Sequence, residues 1–324
     1  MPAIITHDIF GQEVYKSLHG LIGESRDEYH AFLLGCQGPD PLFYNVLVPR
    51  LSRFITLGST MHALKPNELL CAMWQSQSVL SEDKHPVCRA FAFGFMCHYL
   101  LDSTVHPLVY WHENRLYEAG VEGLDGRDRA EVHALIESEF DEVVLYTKKH
   151  QTIATFSPET EILRGSGYVL SVVSHLYAYA AMVAYGIATP ELMYASALRA
   201  FRQAEAVFHS PYGVKRAVLG HIEELFRPHS FVRSMSPRAV EALECSFDNH
   251  EHATWENPFT GKASNKGFWD LYGQAFMKAL AVLKAMDRDS FRMGTVVAIT
   301  SNLNFKGEPT VATLTVEGEG APHA

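Results

Sequence analysis

The chain has 324 residues, of which 47% are hydrophobic, so it can bury a substantial core in one large domain or two modest ones. Its formal net charge is −10, from 37 acidic and 27 basic residues. This charge argues against an extended nucleic-acid-binding surface, although a local metal site can still attract a phosphate group.

The five cysteines form an odd set without C-x-x-C spacing, which argues against a disulfide framework and against a thiolate zinc site. A reducing, intracellular setting fits this use of cysteine best. The N-terminal sequence MPAIITHDIFGQEVYK has no basic region followed by an apolar one, so no signal peptide is predicted. We therefore expect a cytoplasmic protein.

Helical periodicity dominates the chain, which predicts a mainly helical protein. The Gly/Pro-rich residues 35–41 are expected to form a loop after two short helices. Pro107 disfavours helix at His106, so the chain is expected to turn there. The predicted helices cover residues 8–22, 25–34, 67–80, 87–103, 128–150, 168–188, 190–208, 211–226, 237–245 and 268–287.

The segment between Arg164 and Glu191 carries no Asp, Glu, Lys or Arg and is long enough to suggest a membrane span. It also contains His175, four tyrosines and several serines. We therefore predict a buried core helix rather than a transmembrane segment, with the tyrosines serving helix packing.

The C-terminal part of the chain has a different character. Residues 246–267 are predicted to form a long ordered loop. From about Met293 β-branched residues become frequent, and the runs around Lys306 and Gly307 suggest a hairpin. We expect a single helical domain at residues 1–290 and a C-terminal hairpin or extended tail at residues 291–324.

The strongest chemical signal lies in the sequence FAFGFMCHYLLDSTVHP, residues 91–107, which is apolar nearly all round and should be buried. His98 and Asp102 are four residues apart, so they share one helix face about 6 Å apart along the axis, and His106 follows four residues later. Burying these groups costs several kcal/mol unless they pair or bind a metal. A buried His–Asp hydrogen bond would account equally well for His98 and Asp102.

A second pair, His133 and Glu137, has the same spacing on the next predicted helix. Alone, H-x-x-x-E is more typical of a solvated helix face, and the first helix is what makes a shared site plausible. Asp141 extends the row and could support a ligand from behind.

Three further candidates are isolated in the sequence. His7 lies near the start, Asp40 in the Gly/Pro loop and His62 just before a helix, and each alone is more typical of a structural or surface residue. His250 and His252 are likewise more typical of surface histidines. Zinc chemistry nevertheless accounts for the whole set, because five histidines and three carboxylates suffice for two ions and part of a third.

The ordered set resembles a known family. His7, the G-x-x-x-P-D motif ending at Asp40, His62, then H-x-x-x-D-x-x-x-H and H-x-x-x-E together resemble the bacterial zinc-dependent phospholipase C family over roughly residues 1–145. That family shares its all-α fold with the secreted fungal single-strand nucleases. The resemblance implies a multi-helix bundle around a zinc cluster.

The resemblance also implies how the ligands divide. Asp40, His62, His98 and Asp102 would hold the first zinc, His106, His133 and Glu137 the second, and Asp102 with His7 would face a third. In the family an N-terminal tryptophan completes the third site. Here the chain begins Met1-Pro2, so two ions are expected and the third is left open.

Two departures from the family pattern bear on the substrate. Choline-preferring members carry an aromatic residue directly after the metal-binding aspartate, whereas Pro41 follows Asp40 here, so choline preference is not supported. The stretch after residue 290 is also too short for the lipid-binding β-sandwich of some members.

The predicted function is zinc-dependent hydrolysis of a phosphoester, with phospholipid among the candidate substrates. A metal-bound hydroxide would attack phosphorus while the catalytic Asp40 orients it or accepts its proton. Two alternatives stay open. One is a single-strand nuclease or other phosphodiesterase of the same fold, and the other is a non-catalytic protein in which zinc only holds the structure.

Overall fold

A computed structural model describes residues 4–119, 129–226, 230–287 and 291–310, and it confirms the predicted all-α fold. Within these ranges the α-helices are α1 (Ile4–Ile22), α2 (Arg26–Cys36), α3 (Leu57–Ala63), α4 (Pro66–Gln75), α5 (His85–Glu118), α6 (Arg129–Lys149), α7 (Pro158–Glu161), α8 (Gly167–Tyr185), α9 (Met193–Phe208), α10 (Val214–Glu224), α11 (Phe231–Met235), α12 (Phe268–Met286) and α13 (Met293–Thr300). Short 3-10 helices lie at Asp40–Leu47, Pro49–Phe54, Ser76–Val79 and Glu82–Lys84.

Helix α5 runs through the centre of the core and packs most closely on α2. The two backbones meet at a pair of glycines. A Cβ atom on Gly35 would lie 2.2 Å from the carbonyl oxygen of Phe91, and one on Gly94 would lie 2.0 Å from that of Phe32. Since no larger side chain fits between them, this close approach fixes the loop after α2 against α5.

The expected chain turn at His106 is wrong, because α5 continues without a break through Pro107 to Glu118. A proline inside a helix removes one hydrogen bond and costs about 3 kcal/mol. Here the buried side chains of Leu108 and Val109 continue the core face beyond the proline, and their burial offsets that cost. The face that carries the histidines therefore extends by three further turns.

Helix α6 lies beside α1 and fixes its N-terminus. The carboxylate of Asp141 accepts hydrogen bonds from the backbone of Ile5 at 3.1 Å and of Thr6 at 2.7 Å, and from the Thr6 hydroxyl at 2.7 Å. These are the free N–H groups of the first turn of α1. Asp141 thereby sets the position of the helix that carries His7.

The helix predicted at residues 237–245 does not form, and this segment has no regular secondary structure. Arg238 is held by Glu142 of α6, whose carboxylate accepts from its guanidinium at 2.7 Å and also from its backbone N–H. These bonds anchor the start of the segment to α6. Leu243 also stays exposed, so an apolar helix face here would have nothing to pack on.

Residues 246–267 form the expected long loop, with one short ribbon inside it. Strand β1 (Trp255–Glu256) pairs antiparallel with β2 (Ala263–Ser264), Trp255 opposite Ser264.

The first β-branched run near the C-terminus forms α13, not the arm of a hairpin, and packs on α4. The reversal at Lys306 and Gly307 is present, with a single bridge between Leu303 and Pro309. The second run lies at residues 311–324, outside the described residues, as do residues 1–3 and residues 120–128.

Helix α8 is, within the described residues, the one helix long and apolar enough to cross a membrane by length and composition, and half of it is buried. Its buried side packs on α4 and α9, with Tyr177 stacked on Tyr194 at 4.5 Å between ring centroids. The Tyr177 hydroxyl donates a hydrogen bond to the carbonyl of Gly38. This side of α8 is therefore a core face that supports the loop before Asp40.

Candidate metal centre

All eight residues predicted as metal ligands lie together around the middle of α5. Seven of them line a cavity of about 590 Å³, and His98, fully buried, lies directly behind them. Their donor atoms form three groups, each with its atoms within 4.8 Å of one another. The groups are His7 with Asp40 and His98, His62 with His98 and Asp102, and His106 with His133 and Glu137.

Asp102 lies at the centre and divides its two carboxylate oxygens between the groups. Its Oδ2 atom is 3.1 Å from Nε2 of His98 and 3.8 Å from Nε2 of His62. Its Oδ1 atom is 3.1 Å from Nε2 of His7 and 3.7 Å from Nε2 of His106. One buried carboxylate thus faces four imidazoles on two sides, as a bridging ligand would.

Asp40 and Glu137 are the other two carboxylates of the cluster, and each lies close to imidazole nitrogens. Oδ1 of Asp40 is 3.0 Å from Nε2 of His62. Oε1 of Glu137 is 3.3 Å from Nε2 of His106 and 3.4 Å from Nε2 of His133. The group of His106, His133 and Glu137 is the one that the resemblance implied, whereas His7 groups with Asp40 and His98 and also lies beside Asp102.

The loop that presents Asp40 is shaped by Gly38. This residue has φ +48°, a left-handed conformation that side chains rarely adopt. A Cβ atom on it would also lie 2.2 Å from the Cδ2 atom of His98. The backbone therefore passes directly over the imidazole, which brings Asp40 to the group.

Three of the imidazoles are oriented by backbone carbonyls. The Nδ1–H group of His62 donates to the carbonyl of Gly58 at 2.7 Å, and that of His98 donates to the carbonyl of Cys36 at 3.1 Å. The Nδ1–H group of His106 donates to the carbonyl of Phe305 at 2.9 Å. In a neutral ring the remaining Nε2 atom then carries a lone pair, and in each case it points at a carboxylate oxygen. Two acceptors facing each other at 3.0 to 3.3 Å repel unless a cation lies between them. This donor set fits a metal ion held by imidazole and carboxylate, as zinc prefers.

Without a metal, protons must supply that positive charge. Burial alone would lower the pKa of His133, but the charge of Glu137 and the hydrogen bond that His133 donates to Glu113 raise it to about 9. Burial would raise the pKa of Asp102, but the neighbouring imidazoles of His106 and His98 hold it well below its usual range. Metal ions would therefore displace protons from this cluster on binding.

Sequence reasoning missed Glu113, which is 2% exposed and supports the second group. Its Oε2 atom is 3.3 Å from Nδ1 of His133, and its Oε1 atom accepts a hydrogen bond from Arg129 at 2.9 Å. The signal was its position seven residues after His106, two turns along the same helix face. It was overlooked because the helix was expected to end before Pro107.

Asp141 and the loop histidines take no direct part. Asp141 caps α1, as described above, and accepts hydrogen bonds from the backbone beside His7 rather than from an imidazole. His250 bonds to Asp248 at 2.7 Å and His252 to the carbonyl of Asn265 at 3.1 Å. Neither histidine lines the cavity.

Comparison with known proteins agrees with this geometry. Residues 6–164 match the family model described as zinc dependent phospholipase C, and this range contains all eight clustered residues. Comparison with curated proteins and with solved structures finds no match. Over residues 6–164 the chain matches the zinc-dependent phospholipase C family, which confirms the resemblance predicted from the sequence.

Proposed function

We propose that the protein hydrolyses a phosphodiester, of which a phospholipid is the class that the family suggests. The observation that carries the proposal is the set of three carbonyl-oriented imidazoles whose Nε2 atoms face carboxylates at the floor of an open cavity. We assign Asp40, His62, His98 and Asp102 to one zinc ion and His106, His133 and Glu137 to a second, with His7 and Asp102 left for a third.

Zinc ions in such a centre neutralise phosphoryl oxygens and lower the pKa of water. The chain itself supplies the cavity, the charge and the base. A volume of about 590 Å³ is within the range of small-molecule sites, and Phe43, Tyr110 and Phe231 line it above the polar floor. These rings exclude water from the reacting groups and contact the apolar part of a substrate.

Asp40 is the residue we assign as base. It lines the cavity at the start of a 3-10 helix, and Oδ1 is held near His62 while Oδ2 lies 3.9 Å from His98. In this position it orients the attacking water and accepts its proton as the oxygen bonds to phosphorus and the bond to the leaving group breaks.

Exchanging Asp40→Asn tests this role. The amide keeps an oxygen for the metal but cannot accept the proton, so turnover should fall about 100- to 10,000-fold while most of the zinc stays bound. Hydrolysis of a chromogenic phosphodiester and elemental analysis measure the two quantities. The exposed Asp83→Asn is the matched control, and unchanged turnover in Asp40→Asn would remove the residue from the mechanism.

Removal of zinc by a chelator distinguishes an enzyme from a protein in which zinc only stabilises the structure. We expect activity to disappear with chelator and return with zinc, at two to three ions per chain. A protein that binds zinc and unfolds without it, yet hydrolyses no diester, would favour the structural alternative. Faster hydrolysis of single-stranded DNA than of vesicle lipid would favour the nuclease.

A further inference from the structure

Residues 301–310, which lie outside the family match at 6–164, pack directly on the metal centre. The backbone N–H of Phe305 donates to the carbonyl of His62 at 3.1 Å, and its carbonyl accepts from His106. The Phe305 ring is fully buried and contacts the rings of His62 and His98, with centroids 5.3 and 5.8 Å away. The position of this loop is thus fixed relative to two groups of ligands.

The turn after Phe305 is equally well fixed. The side-chain oxygen of Asn304 accepts from the backbone N–H of Lys306 at 2.9 Å and of Glu308 at 3.1 Å. Gly307 has φ +76°, and a Cβ on it would lie 2.7 Å from Cγ of Pro107. The loop therefore fits against the proline inside α5, and the backbone of Lys306 has a defined place at the cavity.

The side chain of Lys306 lines the cavity as a cation without an acidic partner. Its Nζ atom lies 5.6 Å from the ring centroid of Tyr110, a cation–π distance. Among the described residues no carboxylate forms an ion pair with it. Arg129, the other cation of the cavity, differs because Glu113 neutralises it.

The ammonium group packs against the ring of Tyr110. That ring in turn contacts the imidazole of His133, with 5.1 Å between the centroids, so Tyr110 links Lys306 to the candidate metal ligands. A phosphodiester bound at the floor would therefore extend a substituent, and not its scissile phosphate, toward Lys306. A cation held there without a partner complements a negative charge on that substituent.

We propose that Lys306 forms a subsite for an anionic headgroup, so that the protein prefers phosphodiesters whose headgroup, which stays on the phosphoryl group when the bond to the diacylglycerol oxygen breaks, carries a further phosphate or carboxylate. This inference rests on the proposed function. The shared chemistry is a second negative charge beyond the scissile diester, and the absence of an aromatic residue directly after Asp40 agrees with a headgroup other than choline.

Two pairs of lipids that differ by one anionic group test the subsite. Phosphatidylinositol 4-phosphate against phosphatidylinositol reports on phosphate, and phosphatidylserine against phosphatidylethanolamine reports on carboxylate. For the zinc-loaded protein in mixed micelles we expect kcat/KM to be about 10- to 100-fold higher for the charged member of at least one pair. Which pair shows the preference identifies the group.

Variants assign that preference to Lys306. Lys306→Met keeps the apolar stem on Tyr110 and should remove the preference, whereas Lys306→Arg should keep most of it. Lys262→Met, outside the cavity, is the matched control. An equal preference in wild type and Lys306→Met, or an equal loss of activity on both members of a pair, would overturn the proposal.

A binding measurement keeps this inference separate from the proposed function. By calorimetry, zinc-loaded wild type should bind inositol 1,4-bisphosphate about 10-fold or more tightly than inositol 1-phosphate, and Lys306→Met should bind both alike. No hydrolysis of any diester would contradict the proposed function, while calorimetry would still decide the subsite. Equal affinities in wild type would refute the subsite for phosphate.

Discussion

At the scale of single residues, the site depends on groups that hold the imidazoles as much as on the imidazoles themselves. The sequence spacing placed His98, Asp102 and His106 on one helix face, and the structure has them there. The partners of their Nδ1 atoms, such as the carbonyls of Cys36 and Phe305, could not be predicted, because backbone carbonyls carry no sequence signal.

Glu113 offers a test at this scale. Its carboxylate orients His133, so Glu113→Gln should weaken the second metal site about 10- to 100-fold in affinity. Turnover should largely recover at saturating zinc, because Glu113 is not assigned as a ligand. Competition with a chromogenic chelator measures the affinity. Glu118→Gln, exposed on the same helix, is the control, and equal affinities in the two variants would count against this role.

At the scale of helices, periodicity predicted most elements, because their apolar faces pack in one core. The failures are instructive. The rule that a proline ends a helix predicted that α5 would stop before Pro107. The helix continues because packing on both sides of Pro107 compensates for the lost hydrogen bond. Residues 237–245 have the composition of a helix but are irregular and are anchored to α6 through Arg238. Both outcomes depend on contacts distant in sequence, which local patterns do not contain.

Glu205 on α9 predicts a pH effect on stability. Burial, with the charges of Asp141 and Glu159 adding to it, raises the pKa of Glu205 to about 8 in the folded protein. Between about pH 4.5 and 8 the unfolded chain therefore releases this proton while the folded protein keeps it, so the free energy of unfolding falls as pH rises.

Glu205→Gln removes this titration. Relative to wild type, the variant should gain stability steadily from pH 5 to pH 8, measured by urea unfolding at each pH. The exposed Glu24→Gln should show no such trend. A difference between Glu205→Gln and wild type that does not change with pH would mean that Glu205 is ionised in the folded protein.

At the scale of the whole molecule, the centre joins α1, α3, α5, α6 and the loop at residues 301–310. The buried negative charge of its carboxylates is unfavourable without a cation. Metal binding should therefore stabilise the folded protein, and folding should favour metal binding. The sequence predicted the ligands, but it could not predict that the C-terminal loop closes the site, since this depends on how the whole chain folds.

Zinc removal should therefore lower the melting temperature. A ligand at a thousandfold excess over its dissociation constant contributes on the order of 4 kcal/mol, which corresponds to roughly 5–15 °C per site for a chain of this size. Scanning calorimetry before and after chelation measures the change. A His106→Gln/His133→Gln variant should respond less, and an unchanged melting temperature after complete zinc removal would contradict the coupling.

The bond between His106 and Phe305 also has a consequence for biosynthesis. The two residues are separated by 199 positions, so at roughly 5–20 residues per second the ribosome adds Phe305 on the order of 10–40 s after His106. From the addition of Glu137 onward, which is most of that interval, the nascent chain carries all eight candidate ligands, while the His106 ring lacks the carbonyl that orients it. Metal loading in its final geometry therefore follows the synthesis of the ligands themselves and waits for Phe305.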